Sequence, residues 1–190
     1  EGVRQFLLPF WSTYYFLSLY VGAYEPQWST NSTNLLDRYI LAKTRDLIDS
    51  TTKHFESLDS PLAAAAIRDF ADAMTNWFVR RSRDRFWDGN DTEAFDTLFT
   101  VLETLARLSA PLTPLISEEI WRGLTGKDSV HLSDWPESEK FPENQSLVES
   151  MDFVREVASS VLALRKSSGL RVRLPLAAVT IVAENIDALS

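Results

Sequence analysis

The sequence predicts an all-α fold, a helical bundle with a short β element beginning at its C-terminus. Three observations predict it. Long segments repeat apolar residues at three- and four-residue spacing, the period of one helix face. Helix punctuation separates them: Asn34, the Ser60-Pro61 pair, Gly89-Asn90, and Pro111 with Pro114. After Gly169 the period becomes extended.

The first helix is expected over roughly Val3 to Ala23. It is almost wholly apolar or aromatic, which predicts a central place in the bundle, with Pro9 near its start or at a kink. The following EPQWSTNSTN has loop composition. A second helix is expected from the N-cap Asn34, burying Leu36, Tyr39, Ile40, Leu47, Ile48 and Phe55. Ser60 as cap and Pro61 in the first turn open a third, which runs through an alanine stretch into an arginine-rich segment and stops at Gly89-Asn90.

A fourth helix from about Thr92 is expected to bury Phe95, Leu98, Phe99, Leu102, Leu105 and Ala106. Beyond the Pro111 and Pro114 break, a short fifth helix holds Ile120 and Trp121 and is expected to close at Gly123 and Gly126. The acidic stretch that follows, with Trp135, Pro136 and Pro142, is expected as a loop in which SVHL forms a brief strand. A sixth helix, Leu147 to Ser167, is expected to bury Met151, Val154, Val157, Val161 and Leu164. Beyond Gly169, Val172, Leu174, Leu176, Val179, Ile181 and Val182 are β-formers around Pro175. The domain boundary is therefore drawn between a bundle at 1–168 and the start of a β-containing appendage at 169–190.

Composition narrows function. The 190 residues, 45% hydrophobic, suffice for a buried core in one large domain. With no cysteine, disulfides, a thiolate nucleophile and a cysteine-liganded zinc site are excluded within this sequence. No run approaches the roughly 20 apolar residues that span a bilayer, and no signal peptide is evident. A beginning at Glu1 without methionine suggests a piece of a longer protein. The net charge of -8 argues against indiscriminate nucleic-acid binding, so the distribution of arginines matters more than the sum.

That distribution is uneven. Asn76 to Trp87, NWFVRRSRDRFW, interleaves four arginines with large aromatics. On a regular helix Phe70, Met74, Trp77 and Phe78 share one face, and that face continues into Arg81 and Arg85. Arginines in line with a core stripe either pair with carboxylates or open onto a groove for an anionic partner, because a buried unpaired guanidinium is costly. One reading makes Arg80, Arg81, Arg83 and Arg85 surface cations balanced by Asp84, Asp88 and Asp91. The other uses the aromatic planes beside them to stack unpaired bases. A second basic group, Lys166, Arg171 and Arg173, flanks Gly169 and equally suits a solvated helix end.

Other chemistry is sparse. His54 and His131 stand in no metal-ligand spacing and beside no nucleophile. Glu118 and Glu119 diverge by about 100° on a helix and are expected to flank its first turn. No glycine-rich phosphate loop occurs, so no nucleotide site, catalytic residue or metal site is assigned.

The order of motifs resembles the C-terminal helical region of class I aminoacyl-tRNA synthetases, and among them the isoleucine branch. LLPFWSTYYF is similar to the opening bundle helix, NWFVRRSRDRFW to an Asn-Trp-aromatic-x-Arg-Arg-Ser-Arg signature, LARLSAPLTPLISEEIW to the shared Ala-Pro-x-x-Pro-Phe-x-x-Glu-x-x-Trp segment, and SVHLSDWP to the short stretch after it. RVRLPLAAVTI resembles the lead into the family's C-terminal appendage. The HIGH and KMSKS motifs are absent, as is the editing domain.

The resemblance implies an anticodon-binding helical bundle, itself not catalytic, within a cytoplasmic and monomeric isoleucine–tRNA ligase. Its partners would be the anticodon stem-loop of tRNA(Ile) and the catalytic and editing domains of the same parent chain, with no membrane. ATP and magnesium would serve the parent, and this piece would hold no cofactor. It implies phosphate or base-edge contacts for Arg80, Arg81, Arg83 and Arg85, a base-edge contact for Asn76, stacking for Trp87, and stem contacts for Lys166, Arg171 and Arg173. Trp77, Trp121 and Trp135 are expected to pack structurally. The alternative from another class is a helical protein-interaction or scaffolding module whose arginine face pairs with acidic residues of its own chain or of a partner, its sign in the fold being saturation by carboxylates such as Asp84, Asp88 and Asp96.

Overall fold

Seven α-helices form in a computed structural model that describes residues 2–182, one more than the sequence punctuation predicts, because the third expected helix breaks at Ser82. They are α1 (Leu8–Tyr20), α2 (Leu35–Glu56), α3 (Ser60–Asp72), α4 (Arg83–Asp88), α5 (Thr92–Ser109), α6 (Pro114–Thr125) and α7 (Gln145–Ser167). A π-helical turn, Val3–Leu7, precedes α1, and a second π-helical stretch, Ala73–Val79, continues α3.

The caps explain the boundaries. Asn34 adopts extended backbone and its side chain accepts the Leu36 N–H at 2.9 Å, which starts α2. Asp59, rather than Ser60, caps α3 by accepting the Leu62 N–H at 3.1 Å, and Pro61 follows in the first turn. Asp91 caps α5 through the Ala94 N–H at 3.1 Å. Gly89 ends α4 at φ 68 and Gly126 ends α6 at φ 66, left-handed conformations that a Cβ disfavours.

The chain divides into two compact units, Glu1–Glu143 and Asn144–Ser190. The sequence places its boundary later, at 168/169, because a change of period marks a change of secondary structure, whereas α7 and the tail group together by packing.

In the first unit α2 packs on α3 and α5, and α5 packs on α6 and α1. The helix buried nearly all round is α5, not the first helix. The sequence misleads here because α5 hides hydroxyls: Thr97, Thr100 and Thr104 are buried, Thr100 Oγ1 accepting the Ser29 N–H at 2.8 Å. By contrast α1 buries only Phe10, Thr13 and Leu17, and exposes Leu8, Trp11, Tyr15 and Leu19. Apolar composition on every side does not make a helix central unless neighbours cover every side.

Smaller corrections follow the same logic. Leu36, Phe55 and Phe99 are half-buried. SVHL forms a 3-10 turn, Val130–Leu132, with Ser129 Oγ accepting the His131 N–H, and no strand. Gly123 lies inside α6 rather than closing it: a Cβ there would stand 2.0 Å from the Tyr14 hydroxyl, so the glycine permits close approach of α1. Glu118 does not flank a first turn. It accepts Val130 N–H at 2.9 Å and Ser129 Oγ–H at 3.0 Å, pinning the loop, and these bonds, the backbone one first, hold its carboxyl below the usual range. Trp121 is buried, as expected, and Trp135 packs edge-on against Phe55 while donating Nε1–H to Thr52 at 2.8 Å.

In the second unit Asn144 caps α7 through the Leu147 N–H. Met151, Val154, Val157 and Val161 are half-buried and Leu164 is exposed, because an amphipathic pattern names an apolar face without supplying its cover. The β character read beyond Gly169 finds no ladder among the described residues: 170–182 forms turns and irregular backbone. A lone β-forming stretch has no strand to pair with, and Pro175 lacks a donor. Residues 183–190 of that expectation lie outside the described residues.

Candidate nucleic-acid interface

The arginine segment does not continue the core stripe of α3 in the way regular helical spacing predicts. Beside Ala71, Ala73 and Val79, the segment buries Phe70, Met74, Phe78, Ser82 and Phe86, a run of four-residue steps. On an uninterrupted α-helix such steps drift round the axis. The π-helical stretch Ala73–Val79 takes one more residue per hydrogen-bonded turn and rotates the stripe back. The result is a shift of one residue, so that Ser82 and Phe86 take the inward places expected of Arg81 and Arg85.

Phe86 then locks α4 to the bundle, edge-on to Phe16 at 5.1 Å and to Phe95 at 5.2 Å between ring centroids. The arginines on either side of Ser82 are turned outward. Arg80, Arg81 and Arg83 are exposed, and none has a carboxylate partner among the described residues. The guanidinium of Arg81 lies over the Trp77 ring, 3.6 Å from its centroid, and that of Arg83 lies 5.7 Å from the Trp87 centroid. Both are pairs four residues apart, the spacing that brings helix side chains together.

Trp87 is 57% exposed, the largest open aromatic face of the segment. Trp77 is half-buried with Nε1 buried and without a hydrogen-bond partner, consistent with structural packing. Asn76 is exposed, and its Nδ2 donates to Asp72 at 2.7 Å, leaving its carbonyl oxygen for a partner.

Arg85 differs from its neighbours. Nη1 donates to Asp37 Oδ1 at 2.6 Å, Nη2 to Asp37 Oδ2 at 2.9 Å and to Asp91 Oδ1 at 3.2 Å, and Nε to Asp91 Oδ2 at 2.6 Å. Burial works against its charge, yet the hydrogen bonds to Asp37 and then Asp91 outweigh it and raise its pKa. The same Arg85 hydrogen bond holds the Asp91 carboxyl below its ordinary value against the effect of burial. Two carboxylates engage four of its five N–H donors, which leaves Arg85 one Nη1–H and a small exposed edge, a poor site for an RNA phosphate.

Saturation of all four arginines by acids is the mark of an internally paired module, and one arginine of the four meets it. Of its two partners Asp91 was expected and Asp37 was not, while Asp96 instead accepts the Tyr24 hydroxyl at 2.8 Å and the Gln27 N–H at 2.7 Å.

The second basic group is in the second unit. Lys166, Arg171 and Arg173 are exposed. Arg165 organises the turn that carries them, its Nη2 donating to the carbonyls of Arg171 at 2.6 Å and Val172 at 3.0 Å.

Sequence reasoning passed over Asp37, Arg165 and the loop role of Glu118. A signal for Asp37 was present: it stands three and four residues before Ile40 and Leu41, on the buried stripe of α2, where a carboxylate requires a cation. Arg165 gave none, since its acceptors are backbone carbonyls. Among the described residues no cluster fit for a metal ion occurs, and no helix is long and apolar enough to cross a membrane.

Comparison with known proteins meets this geometry. The family described as the anticodon-binding domain of tRNA ligase matches residues 37–181. Isoleucine–tRNA ligase of Leifsonia xyli subsp. xyli is 59% identical over 100% of this chain, that of Nocardia farcinica 55% over 100%, and that of Mycobacterium tuberculosis 52% over 97%. The chain spans 18% of the length of each of these relatives. A helical bundle with an outward arginine and tryptophan edge, matched over most of its length by that family, belongs to the anticodon-binding domains of tRNA ligases.

Proposed function

We propose that this domain recognises the anticodon stem-loop of tRNA(Ile) for an isoleucine–tRNA ligase. The observation that carries the reading is the exposure of Arg80, Arg81 and Arg83, unpaired with any described carboxylate, on the same short segment as the open ring of Trp87. Guanidinium groups engage phosphates and fix register, and the indole offers a face to an unstacked loop base. Asn76 adds an acceptor for a base edge. Lys166, Arg171 and Arg173 form a separate cationic group suited to stem phosphates. Arg85 supports the segment rather than touching RNA.

The ligation itself, which takes ATP and magnesium, belongs to the catalytic part of the parent, and the editing domain likewise lies beyond these residues. The parent works in the cytoplasm as a monomer. The identities to isoleucine–tRNA ligases over the whole of this chain support this choice of amino acid.

The test is titration of a labelled isoleucine anticodon stem-loop at several salt concentrations, beside a valine stem-loop. Preferential binding is expected, with a salt slope that falls by about one for each of Arg80→Ala, Arg81→Ala and Arg83→Ala that removes a phosphate contact. Equal, salt-insensitive binding of the two stem-loops would refute the proposal. Absence of binding at low salt would favour the protein-interaction module.

A further inference from the structure

Helix α4 is six residues long, bounded by the break at Ser82 and the left-handed Gly89. So short a helix is not stable by itself and keeps its place only through tertiary contacts. It carries Arg83 and Trp87 outward, and two of its side chains reach inward. Phe86 enters the aromatic cluster with Phe16 and Phe95. Arg85 reaches Asp37 in the first turn of α2 and Asp91 at the cap of α5.

The two acids are themselves held. Asp37 is fully buried and accepts the Ser32 hydroxyl at 2.8 Å, and that hydroxyl also lies 2.8 Å from Glu93 in the first turn of α5. Asp91 is fixed by capping Ala94. One guanidinium thus ties α4 to the starts of two long helices. A single apolar anchor at Phe86 would leave the short helix able to roll about it; the fork of Arg85, bonded on two sides, removes that freedom.

We infer that Arg85 is a positioning residue for RNA recognition, which sets where Arg83 and Trp87 stand while making no contact with the RNA. The inference rests on the proposed anticodon reading and goes beyond it by giving one arginine of the segment a role different from the others. Lysine preserves the charge but, as a single point donor, cannot reproduce a fork that meets two carboxylates at once.

The test uses the 190-residue chain labelled with 5-fluorotryptophan, the Trp87 resonance being assigned by Trp87→Phe. In Arg85→Lys the Trp87 fluorine line is expected to shift or broaden, while the lines of Trp121 and Trp135 hold. Affinity for the isoleucine anticodon stem-loop is expected to fall about tenfold, the scale of losing one stacked base. The salt slope is expected to remain that of wild type, because no phosphate contact is lost. Asp91→Asn is the second variant, read in the same way: asparagine keeps an oxygen to cap α5 and removes the charge and the oxygen that accepts Arg85 Nε–H.

An unchanged Trp87 line with unchanged affinity in both variants overturns the inference. So does a slope reduced by about one, which would make Arg85 a phosphate contact. If the wild type does not bind the stem-loop, the anticodon reading fails with the RNA role of Arg85, and the Trp87 line still reports whether the clamp holds α4.

Discussion

Asp37 and Arg85 stand 48 residues apart in the chain and meet through two parallel hydrogen bonds of 2.6 and 2.9 Å. Asp37 is fully buried, and that guanidinium and the Ser32 hydroxyl donate to its carboxylate oxygens. Arg85 keeps 18% of its side chain exposed and has Asp91 as a second acid.

Removing one partner of such a pair leaves the other charged and poorly solvated. Asp37→Ala is expected to cost on the order of 3 kcal/mol of stability. Urea denaturation of the two proteins measures it, and a loss under about 1 kcal/mol would mean that Arg85 is satisfied by Asp91 and solvent alone.

The Asp91 carboxyl titrates below its unfolded value because Arg85 hydrogen-bonds its charged form. A carboxyl lowered in the folded state contributes stability that is complete above the unfolded value, about 3.9, and is lost as pH falls through the folded one. Stability should therefore decline with acid from about pH 4 downward, and Asp91→Asn should flatten part of that decline. Denaturation curves between neutral pH and pH 3 test this; parallel declines in the two proteins would show that the pair is not a source of it.

Ser82 is fully buried and its hydroxyl has no hydrogen-bond partner among the described residues. An unsatisfied buried hydroxyl carries its desolvation cost with nothing in return, so Ser82→Ala is expected to stabilise by about 1 kcal/mol and raise Tm by about 2–4 °C. Scanning calorimetry settles the sign; a lower Tm would reveal a partner for the hydroxyl.

Gly123 faces the Tyr14 hydroxyl, which stands 2.0 Å from where a Cβ would be. Gly123→Ala is expected to destabilise by about 1–3 kcal/mol, since the Tyr14 ring must withdraw. In a Tyr14→Ala background the same change should stabilise by about 1 kcal/mol, the helix preference for alanine over glycine. The same sign in both backgrounds would exclude the steric account.

Helix existence and order were legible, because caps such as Asn34 and stops such as Gly89 are local. Which helix lies at the centre was not, since the buried face of α5 takes in Thr97, Thr100 and Thr104, which composition reads as polar, while the openness of α1 depends on what stands beside it. Residue types singled out the arginine segment but not which of its arginines is paired with acids and which are open. Spacing on an ideal helix pointed Arg81 inward; the π-helical stretch, invisible in composition, turned it out. The partner of Arg85 came from another helix altogether.

An extra residue wound into Ala73–Val79 is an insertion stored within a helix instead of a loop. Deleting one residue there, Thr75 for example, can be absorbed by a return to ordinary α-helix, with Ser82 and Phe86 still facing the bundle and the arginines still facing solvent. The same deletion among Ala63 to Ala66 has no such slack and swings every later side chain about 100° round the axis. Tolerance to length change in this helix is thus concentrated in one of its turns, immediately before the arginine-rich segment.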